Sequence, residues 1–319
     1  MASIPAKLLK TALSLAVKHK PRTKERLKRR LRLTMNAPLL PSSVPSGISL
    51  RPATIAGVPG EWLEPAESTM TILYFHGGAF LGGTLRTYHR FCGELAKRLN
   101  ARVFMPDYRL APEHPFPAAV NDAFSVFKSL SAECGARQPL VVAGDSAGGN
   151  LSLVTLMRAR DEGLPAPLCG ILISPGTDAT GSFPSLSANS ACDVMLSGDM
   201  INMAIDIYLN GADPTQPHAS PCLGNFTDLP PMMVSVSEEE CLRDDAYHVV
   251  ESARRAGVAT TLLSRQDMPH VWPIFFSLLP EARQDMPKFI DFVHAQLASA
   301  TRDLYASIDN AERAQSPAA

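Results

Sequence analysis

The sequence predicts an α/β fold in which a mostly parallel sheet is covered by helices on both faces. Two observations carry this prediction. Short apolar runs, several of them rich in Val and Ile, recur from about residue 53 onward, as in strands that are buried on both faces. Between these runs lie segments whose apolar residues recur at helical spacing. Strands and helices that alternate in this way are typical of a doubly wound sheet.

Six of the apolar runs are predicted strands, and the segments between them contain the predicted helices. The strands are "MTILYF" (70–75), "RVFMP" (102–106), "LVVAG" (140–144), "CGILIS" (169–174), "MMVSVS" (232–237) and "ATTLLS" (259–264). The helices are "RTYHRFCGELAKRL" (86–99), "AAVNDAFSVFKSL" (118–130), "AGGNLSLVTLMRARDEG" (147–163) and a pattern within 241–257. The third helix ends at Gly163, a residue type that commonly stops a helix.

Two segments interrupt this alternation, and the first is a basic arm. Residues 1–34 contain eleven Lys and Arg and one acid, Glu25, for a net charge of +10, whereas the whole chain carries −1. The arm could be a helix that covers part of the fold, a helix on a membrane surface or a nucleic-acid-binding arm. The first is favoured. The apolar stretch "TALSLAV" is short, flanked by Lys and without a convincing cleavage site, so a secretory signal is not expected.

The second interruption spans about residues 184–220 and has no strand of its own. It contains the helical pattern "GDMINMAIDIYLNG" followed by a proline-containing loop. An insertion of this length in a compact domain is usually functional, and the two interruptions together could form a cap. The predicted organisation is N-terminal cap helices in 1–50, a catalytic core in 51–183 and 221–299, a cap insertion in 184–220 and a polar, loosely ordered tail in 300–319.

Composition excludes several classes of protein. A content of 45% hydrophobic and 19% charged residues indicates an ordinary globular protein. No apolar run approaches the roughly 18 residues of a membrane span. The six cysteines are scattered without a C-x-x-C pair, so neither a zinc site nor a disulfide framework is predicted. A reducing, cytoplasmic compartment fits this cysteine pattern best.

The segment "GDSAG" (144–148) is the first candidate for chemistry. It has the pattern G-x-S-x-G and lies between a predicted strand and a predicted helix, which is the setting of a nucleophile elbow. Ser146 is therefore the candidate nucleophile, and the N-terminus of the following helix is expected to point its free N–H groups at the reacting centre. The alternative is a glycine-rich turn that binds phosphate. The other motifs disfavour that alternative.

Directly after the first predicted strand comes "HGGAF" (76–80). Glycine lets the backbone approach a ligand closely, so its N–H groups can point at developing negative charge. Gly77 and Gly78 are the predicted oxyanion donors, together with Ala147, the residue after the nucleophile. His76 stands before the glycine turn, where a side chain is expected to brace the loop rather than act as the base.

These two motifs and "DYRLAPEHPFPAA" (107–119) resemble the hormone-sensitive-lipase-like family (family IV) of α/β hydrolases, in particular its bacterial esterases with a "GDSAGG" elbow. The resemblance covers roughly residues 53–297, with the motifs in order and at the family's spacing. It implies an α/β-hydrolase fold with an eight-stranded, mostly parallel sheet and a helical cap. It also implies hydrolysis of carboxylic esters with short to medium acyl chains, without a cofactor or metal. Ala79 stands where many members have Gly, at a position not expected to donate.

The loop at 107–119 also has a structural interpretation of its own. Several polar side chains lie there among prolines, namely Asp107, Arg109, Glu113 and His114. The simplest expectation is that they pair with one another and with the backbone, and so hold the oxyanion loop from behind. Direct contact with the substrate is the alternative.

The candidate base follows from chain order, which in α/β hydrolases is nucleophile, acid, base. Only His270 and His294 follow the last predicted strand. His294 falls in a helical pattern and is expected on a helix surface. His270 lies in the loop "DMPHVWPIF" and matches the terminal histidine motif of the family, so it is the candidate base.

The acid is expected after the preceding strand, where Glu238, Glu239 and Glu240 stand in a row. Asp244 and Asp245 fall in the first turn of the next predicted helix, where carboxylates favour the helix dipole. In the family, the acid is Asp or Glu and is followed by a small apolar residue and then by "LRD". The corresponding segment here is "ECLRD" (240–244). The resemblance therefore assigns Glu240, with Glu239 as the next candidate. Glu238 and Glu239 are interpreted as solvated loop charge.

Together these residues predict a carboxylesterase with the triad Ser146, His270 and Glu240 and a small-molecule ester as its partner. Two alternatives remain, because fold alone does not decide function. One is hydrolysis of a lactone, carbamate or amide by the same triad, and the other is a non-catalytic receptor for a small molecule. Nucleic acid and stable membrane insertion are not expected, and the resemblance implies a homodimer as one expectation.

Overall fold

The computed structural model describes residues 2–18, 23–35, 42–135 and 138–315 of the 319-residue chain. Its centre is one sheet, whose strands are β1 (Ser49–Ile55), β2 (Val58–Glu64), β3 (Met70–Phe75), β4 (Ala101–Pro106), β5 (Leu140–Asp145), β6 (Cys169–Ile173), β7 (Met232–Ser237) and β8 (Thr260–Arg265). The strand order is β1-β2-β4-β3-β5-β6-β7-β8. The pairs β1–β2 and β2–β4 are antiparallel, and the pairs from β4 to β8 are parallel.

The α-helices are α1 (Ile4–Ala16), α2 (Lys24–Met35), α3 (His89–Leu99), α4 (Ala118–Cys134), α5 (Ala147–Asp161), α6 (Ser185–Ala188), α7 (Gly198–Leu209), α8 (Arg243–Arg255) and α9 (Pro280–Gln315). Short 3-10 helices span Leu85–Tyr88, Pro221–Leu223 and Trp272–Phe275. Helices α4, α5 and α8 pack on one face of the sheet, whereas α3 and α9 pack on the other, so each face has its own hydrophobic core.

The doubly wound α/β sheet predicted from the sequence is confirmed. All six predicted strands occur, and their ends differ from the predicted ends by one residue at most. The residue pattern did not predict β1 and β2, which form the antiparallel edge. Pro52 interrupts β1, Pro59 and Gly60 interrupt β2, and most of β1 is exposed. Proline and exposure are typical of edge strands, and they remove the apolar run that marks a buried strand.

The parallel strands place four loops at one edge of the sheet. The carboxyl ends of parallel strands lie at the same edge, which is where ligands bind in open α/β sheets. The loops that begin at His76, Ser146, Glu238 and Gln266 follow β3, β5, β7 and β8. These are the loops in which the sequence places its candidate catalytic residues.

The N-terminal arm and the insertion at 184–220 lie over this edge. Helices α1 and α2 bury one side each, with Leu13 on α1 and Leu31 on α2 as members of the two cores. The insertion contains α6 and α7, and α2 packs against α7. The favoured interpretation of the basic arm, helices that cover part of the fold, therefore matches the structure.

The end of the chain differs from the expectation of a loose tail from residue 300. Helix α9 continues through this segment to Gln315. Extending a helix that is already nucleated fixes one residue for each added hydrogen bond, so a packed helix is readily prolonged by polar residues. No helix in the described ranges is both long enough and apolar enough to cross a membrane.

Candidate active site

Ser146 lies in a sharp turn between β5 and α5. Its backbone has φ 53° and ψ −117°, a conformation that L-residues rarely adopt. This backbone carries the side chain out of the strand direction and places Ser146 at the beginning of α5. The strand–turn–helix setting predicted for the G-x-S-x-G motif is therefore present.

The glycines of the motif are required by close backbone contacts. A Cβ atom on Gly148 would lie 1.9 Å from the carbonyl oxygen of Phe75, and one on Gly144 would lie 2.4 Å from the carbonyl oxygen of Gly148. No side chain fits at such distances. The two glycines therefore let α5 begin directly beside the end of β3, where the next loop of the site starts.

His270 lies in the loop after β8 and reaches Ser146. Its Nε2 atom is 3.0 Å from Ser146 Oγ, and its Nδ1 atom is 2.9 Å from Glu240 Oε2. An ionised carboxylate only accepts hydrogen bonds, so Nδ1 carries the proton toward Glu240, and Nε2 accepts from the serine hydroxyl. The structure thus brings together the three residues that the sequence selected as catalytic candidates.

Glu240 lies between β7 and α8 and is 1% exposed. Among the three consecutive glutamates it is the one whose side chain reaches the imidazole. The other two differ from the interpretation as solvated charge, because both are half-buried and bonded. Glu239 accepts hydrogen bonds from Ser237 and from the N–H of Asp267, whereas Glu238 accepts one from Tyr247.

The two aspartates of the first turn of α8 also bind neighbouring loops, in addition to their predicted interaction with the helix dipole. Asp245 is buried and accepts hydrogen bonds from the N–H groups of Thr177 and Asp178, which belong to the loop after β6. Burial raises the pKa of Asp245 to about 7, although these N–H groups act in the opposite direction. Asp244 accepts from the N–H of Ser185, at the beginning of α6. Both aspartates tie α8 to neighbouring loops.

Burial and ion pairing shift the pKa values of His270 and Glu240 in opposite directions. Burial lowers the pKa of His270, but the charge of Glu240 and its hydrogen bond outweigh it, so the pKa of His270 is raised. Burial likewise raises the pKa of Glu240, while His270 acts in the opposite direction. A buried carboxylate beside a histidine favours the imidazolium form, which is what a base needs after it has taken a proton.

The loop after β3 differs from the prediction in one residue. The N–H of Gly77 donates to Tyr88 Oη at 3.0 Å and to Asp145 Oδ1 at 3.0 Å. This N–H is buried and already bonded, so it does not point at the space beside Ser146. The prediction that Gly77 donates to the oxyanion therefore disagrees with the hydrogen bonding of the loop.

Gly78 and Ala79 border the space beside Ser146 instead. Both line the cavity that contains Ser146 and His270. Gly78 has φ 138° and Ala79 has φ 54°, and a Cβ atom on Gly78 would lie 1.9 Å from the carbonyl oxygen of Gly82. The loop closes tightly, with Leu81 and Gly82 donating to the carbonyl oxygen of Gly78. Within the described ranges, no protein acceptor binds the N–H of Gly78 or of Ala79.

Asp145 supports the loop after β3, although no motif in the sequence marked it as a candidate. It immediately precedes the nucleophile, is 2% exposed and accepts hydrogen bonds from Tyr74, Tyr88 and Gly77. Burial raises the pKa of Asp145 to about 6, while the hydrogen bonds from Tyr74 and Tyr88 act in the opposite direction. The signal in the sequence was a carboxylate at the end of an otherwise apolar strand, since a buried charge needs partners.

His76 lies behind the loop, as the bracing interpretation expects. Its ring stacks on Tyr108 with centroids 4.4 Å apart, and its Nδ1 atom donates to the carbonyl oxygen of Gly77 at 2.8 Å. Burial lowers the pKa of His76, which keeps the ring neutral. The hydroxyl of Tyr108 donates to the carbonyl oxygen of His76 at 2.6 Å. Tyr108, within the motif at 107–119, therefore holds the strand end in place.

The charged residues of the motif at 107–119 do not pair with one another, contrary to the expectation. Arg109 pairs with Asp122 on α4 at 2.7 Å, and Glu113 pairs with Arg32 on α2. The hydrogen bond from Arg32 lowers the pKa of Glu113 to about 2. Arg32 also donates to the carbonyl oxygens of Leu81 and Ala111. The basic arm thus fastens the loop after β3 to the motif beneath it.

The cap insertion holds the loop of Glu240 in a similar way. Asp193 accepts a hydrogen bond from the N–H of Cys241 at 2.9 Å, and Asn189 donates to the carbonyl oxygen of Glu240 at 2.9 Å. Lys18, beside the end of α1, donates to three carbonyl oxygens of this insertion, including that of Asp193. Sequence reasoning missed these contacts because their partners lie up to 175 residues apart.

Two mainly apolar cavities meet at Ser146. The first lies between α5 and α7 and is lined by Phe80, Asn150, Ile201, Ala204, Ile205 and Tyr208, among others. The second lies under α1 and α2 and is lined by Leu13, Val17, Leu31, Met35, Met200 and His270, among others. Ser146 and Ala79 border both cavities. A substrate that reaches Ser146 therefore has one apolar cavity on each side of the reacting atom.

The remaining candidates lie away from this centre. His294 is exposed on α9, as expected for a helix-surface residue. Ala147 is the first residue of α5 and borders the first cavity beside Ser146. Among the described residues, no cluster of three or more His, Cys, Asp or Glu side chains could hold a metal ion.

Comparison with known proteins gives consistent matches. A family model described as an α/β hydrolase fold matches residues 72–274. An acetyl-hydrolase of Streptomyces hygroscopicus is 35% identical over 232 residues, which are 72% of this chain and 78% of that protein. The carboxylesterase NlhH of Mycobacterium tuberculosis is 34% identical over 229 residues, 68% of this chain and 71% of that protein.

This chain is also similar in structure to solved esterases. The crystal structure of an esterase from the bacterial hormone-sensitive lipase family superposes with a TM-score of 0.84 at 31% identity. The match covers 93% of this chain and 99% of that one. The similarity therefore includes the cap as well as the sheet.

Proposed function

This chain belongs to the hormone-sensitive-lipase-like family of α/β hydrolases and is a carboxylesterase, and we propose that it acts through a triad of Ser146, His270 and Glu240. The observation that carries the proposal is the continuous hydrogen-bond chain from Glu240 Oε2 through the imidazole to Ser146 Oγ, with distances of 2.9 and 3.0 Å. A nucleophile bonded to a base that is oriented by a third group is the arrangement that acyl transfer requires.

The first half of the reaction forms an acyl-enzyme. Ser146 Oγ attacks the carbonyl carbon of the ester while His270 Nε2 takes the hydroxyl proton. The tetrahedral intermediate then collapses, the bond from the carbonyl carbon to the alcohol oxygen breaks, and His270 gives its proton to the departing alkoxide. Glu240 holds the imidazole in the required tautomer and stabilises the imidazolium while it carries both protons.

The second half returns the enzyme to its starting state. A water molecule attacks the acyl carbon, and His270 takes one of its protons as general base. The carboxylic acid leaves when Ser146 Oγ regains the proton. Every proton in the cycle passes through one nitrogen, Nε2 of His270, so the reaction needs no further acid or base.

The oxyanion is stabilised by the N–H groups of Gly78, Ala79 and Ala147. This set replaces Gly77 of the sequence-based prediction by Ala79. Support comes from the loop geometry, since the N–H of Gly77 is bonded to Asp145 and Tyr88, whereas Gly78 and Ala79 border the space beside Ser146. Donors that are fixed before the reaction stabilise the charged intermediate without reorganisation.

The position of His270 supports an assignment of the two cavities to the two halves of the ester. The alkoxide must leave beside Nε2, because that atom delivers the proton. His270 lines the cavity under α1 and α2 and does not line the one between α5 and α7. The alcohol part therefore occupies the cavity under α1 and α2, and the acyl chain occupies the cavity between α5 and α7. The apolar lining of the latter suits an acyl chain.

Covalent labelling tests the nucleophile. An organophosphonate is expected to modify the folded protein at Ser146, identified by the mass of the corresponding peptide. Ser146→Ala is expected to abolish labelling and to lower kcat for p-nitrophenyl butyrate by about 10⁶-fold. His294→Ala is the matched control and keeps full activity. Folded wild-type protein that resists labelling would favour a non-catalytic receptor.

Two substitutions, one in each cavity, test the substrate assignment. Ile205→Trp narrows the cavity between α5 and α7 and is expected to lower kcat/KM for a hexanoate relative to an acetate by about tenfold. Leu31→Phe fills the other cavity and is expected to change the preference among alcohols while leaving the acyl ratio unchanged. The reverse pattern would exchange the two assignments. Cytoplasmic location and homodimer formation stay predictions from the sequence.

A further inference from the structure

The outer face of helix α1 carries large apolar side chains that are mostly exposed to solvent. Ile4 is 75% exposed, Leu8 is 67% exposed and Leu15 is 77% exposed. With about 100° of rotation for each residue, the three lie within about 40° of one another around the helix axis. They form a stripe opposite the face on which Ala6 and Leu13 pack into the core. We call Ile4, Leu8 and Leu15 the outer stripe.

This exposure is concentrated in the N-terminal helices. Among the large apolar side chains of the described residues, four are more than 60% exposed, and the fourth is Leu33 on α2. The other exposed ones, such as Leu223 and Leu278, lie singly in separate parts of the chain. Single exposed apolar residues are normal, whereas aligned ones indicate a surface that binds something.

Cationic side chains accompany the apolar ones. Lys7 is exposed beside the outer stripe, and Arg26, Arg29 and Arg30 are exposed on α2 around Leu33. Within the described ranges, no acidic side chain pairs with Lys7, Arg26 or Arg29. Other cations of the arm do have partners, such as Lys10 with Asp267. The surface therefore combines apolar side chains with positive charge that the fold does not neutralise.

We propose that the outer stripe and the basic face of α2 dock this protein peripherally on anionic phospholipid bilayers. An amphipathic helix with an apolar face and flanking Lys and Arg lies in the plane of a membrane interface, where leucine side chains enter the acyl boundary and cations approach anionic headgroups. The inner faces of the same two helices line the cavity assigned to the alcohol part. Docking thus places this side of the active site at the lipid surface, a consequence that rests on the proposed function.

Two other occupants fit the surface less well. A two-fold contact with a second copy would oppose the same basic surface to itself, so like charges would face each other. A nucleic acid would neutralise the cations, but its phosphate backbone would leave the outer stripe without an apolar partner. An anionic bilayer satisfies both the charge and the apolar side chains.

Vesicle flotation with the full chain tests docking independently of catalysis. The wild type is expected to bind vesicles of phosphatidylcholine with 30% phosphatidylglycerol at least about tenfold more strongly than vesicles of phosphatidylcholine alone. Binding is expected to weaken between 0.1 M and 0.5 M NaCl, because salt screens exposed charges. Leu8→Ser with Leu15→Ser is expected to lower binding at least about tenfold.

Matched variants separate the contributions. Arg26→Ser with Arg29→Ser is expected to remove the preference for phosphatidylglycerol, and Leu223→Ser with Leu278→Ser is expected to change nothing. All variants are expected to hydrolyse a water-soluble short ester at the wild-type rate, which shows that they are folded. The docking proposal is wrong if the wild type does not bind anionic vesicles or binds vesicles with and without phosphatidylglycerol equally. It also fails if the Leu8 and Leu15 variant converts a dimer to a monomer in light scattering, or if only duplex DNA binds.

Discussion

The loop that carries the acid (238–242) and the loop that carries the oxyanion donors (76–80) are built alike but were not equally predictable. Each follows a buried strand, and each presents neighbouring residues of one type. In the acid loop, the glutamate selected from the sequence is the one that reaches His270. In the oxyanion loop, the selected Gly77 points its N–H at Asp145 instead.

The difference lies in where the partners of each loop are found in the chain. Glu240 was selected because it immediately precedes "CLRD", part of a contiguous family motif between the end of β7 and the first turn of α8. The orientation of Gly77 is set by Asp145 and Tyr88, the first 68 residues away in sequence. A residue marked by a contiguous motif can be identified from the sequence, whereas the orientation of an N–H group that bonds to a side chain far along the chain cannot.

The two loops share a second feature, since cap residues fasten both of them. Arg32 on α2 donates to the carbonyl oxygen of Leu81 and to Glu113. Asp193 of the insertion accepts from the N–H of Cys241. The cap therefore does more than cover the substrate, because it fixes the loops that carry the catalytic groups.

Among variants of these two loops and their supports, the largest effect is expected from loss of the acid. Glu240→Ala removes the group that orients His270 and stabilises the imidazolium, so kcat is expected to fall by up to about 10⁴-fold. The measurement is kcat for a short p-nitrophenyl ester at pH 8. Glu238→Ala is the matched control and is expected to stay within about twofold of wild type.

Glu239 allows a finer comparison in the same loop. Glu239→Ala loses the hydrogen bond to the N–H of Asp267, which lies in the loop of the base, so a decrease of a few fold is expected. A loss for Glu239→Ala as severe as the one expected for Glu240→Ala would show that the acid has been assigned one residue too late.

An intermediate effect is expected at the support of the oxyanion loop. Asp145→Asn retains the volume but replaces an oxygen that accepts hydrogen bonds by an amide that donates. The N–H of Gly77 or a tyrosine hydroxyl then loses its partner, the loop shifts, and kcat is expected to fall by about 10- to 100-fold. Since burial raises the pKa of Asp145 to about 6, the comparison belongs at pH 8, where the wild-type carboxylate is ionised.

This substitution discriminates between the two sets of oxyanion donors. If Gly77 were the donor to substrate, Asp145 would compete for its N–H, and Asp145→Asn would leave kcat unchanged or raise it. Tyr88→Phe removes one hydroxyl from the same cluster and is expected to lower kcat by only about fivefold.

The smallest effect is expected where the cap fastens the acid loop, and it should be visible in the pH profile. Burial lowers the pKa of His270, but the charges of Glu240, Asp193 and Asp145 raise it above 6.5 overall. Activity requires the neutral imidazole, so the wild-type rate is expected to fall on the acid side with a midpoint above pH 6.5.

Asp193→Asn removes one of these charges, which lowers the pKa of His270 and moves the acid limb to lower pH. The N–H of Cys241 or those of Met195 and Leu196 also lose a carboxylate acceptor, so kcat at pH 8 is expected to fall by a few fold. If the acid limb of the pH profile does not move, the charge of Asp193 does not affect the pKa of His270.

The sequence alone predicted six of the eight strands, the chain order of the triad and the three residues that are proposed as its members. The five inner strands β3 to β7 are buried on both faces and therefore almost entirely apolar, so they were visible as runs, together with the partly exposed edge strand β8. The edge strand β1 and its neighbour β2 were not visible, because proline interrupts the apolar pattern of both and most of β1 is exposed. A family motif identified Glu240 among its neighbours, and the glycines that the turn requires identified Ser146.

Only the tertiary structure showed which N–H groups near Ser146 are already bonded within the protein and what holds their loops in place. The N–H of Gly77 is bonded by Asp145 and Tyr88, Arg32 of the arm reaches the loop after β3, and Lys18 reaches the insertion at 190–193. These are contacts between residues far apart in the chain, and no local spacing encodes them. Apolar periodicity records burial, which is a property of one segment, whereas a hydrogen bond between distant groups exists only once both segments are folded.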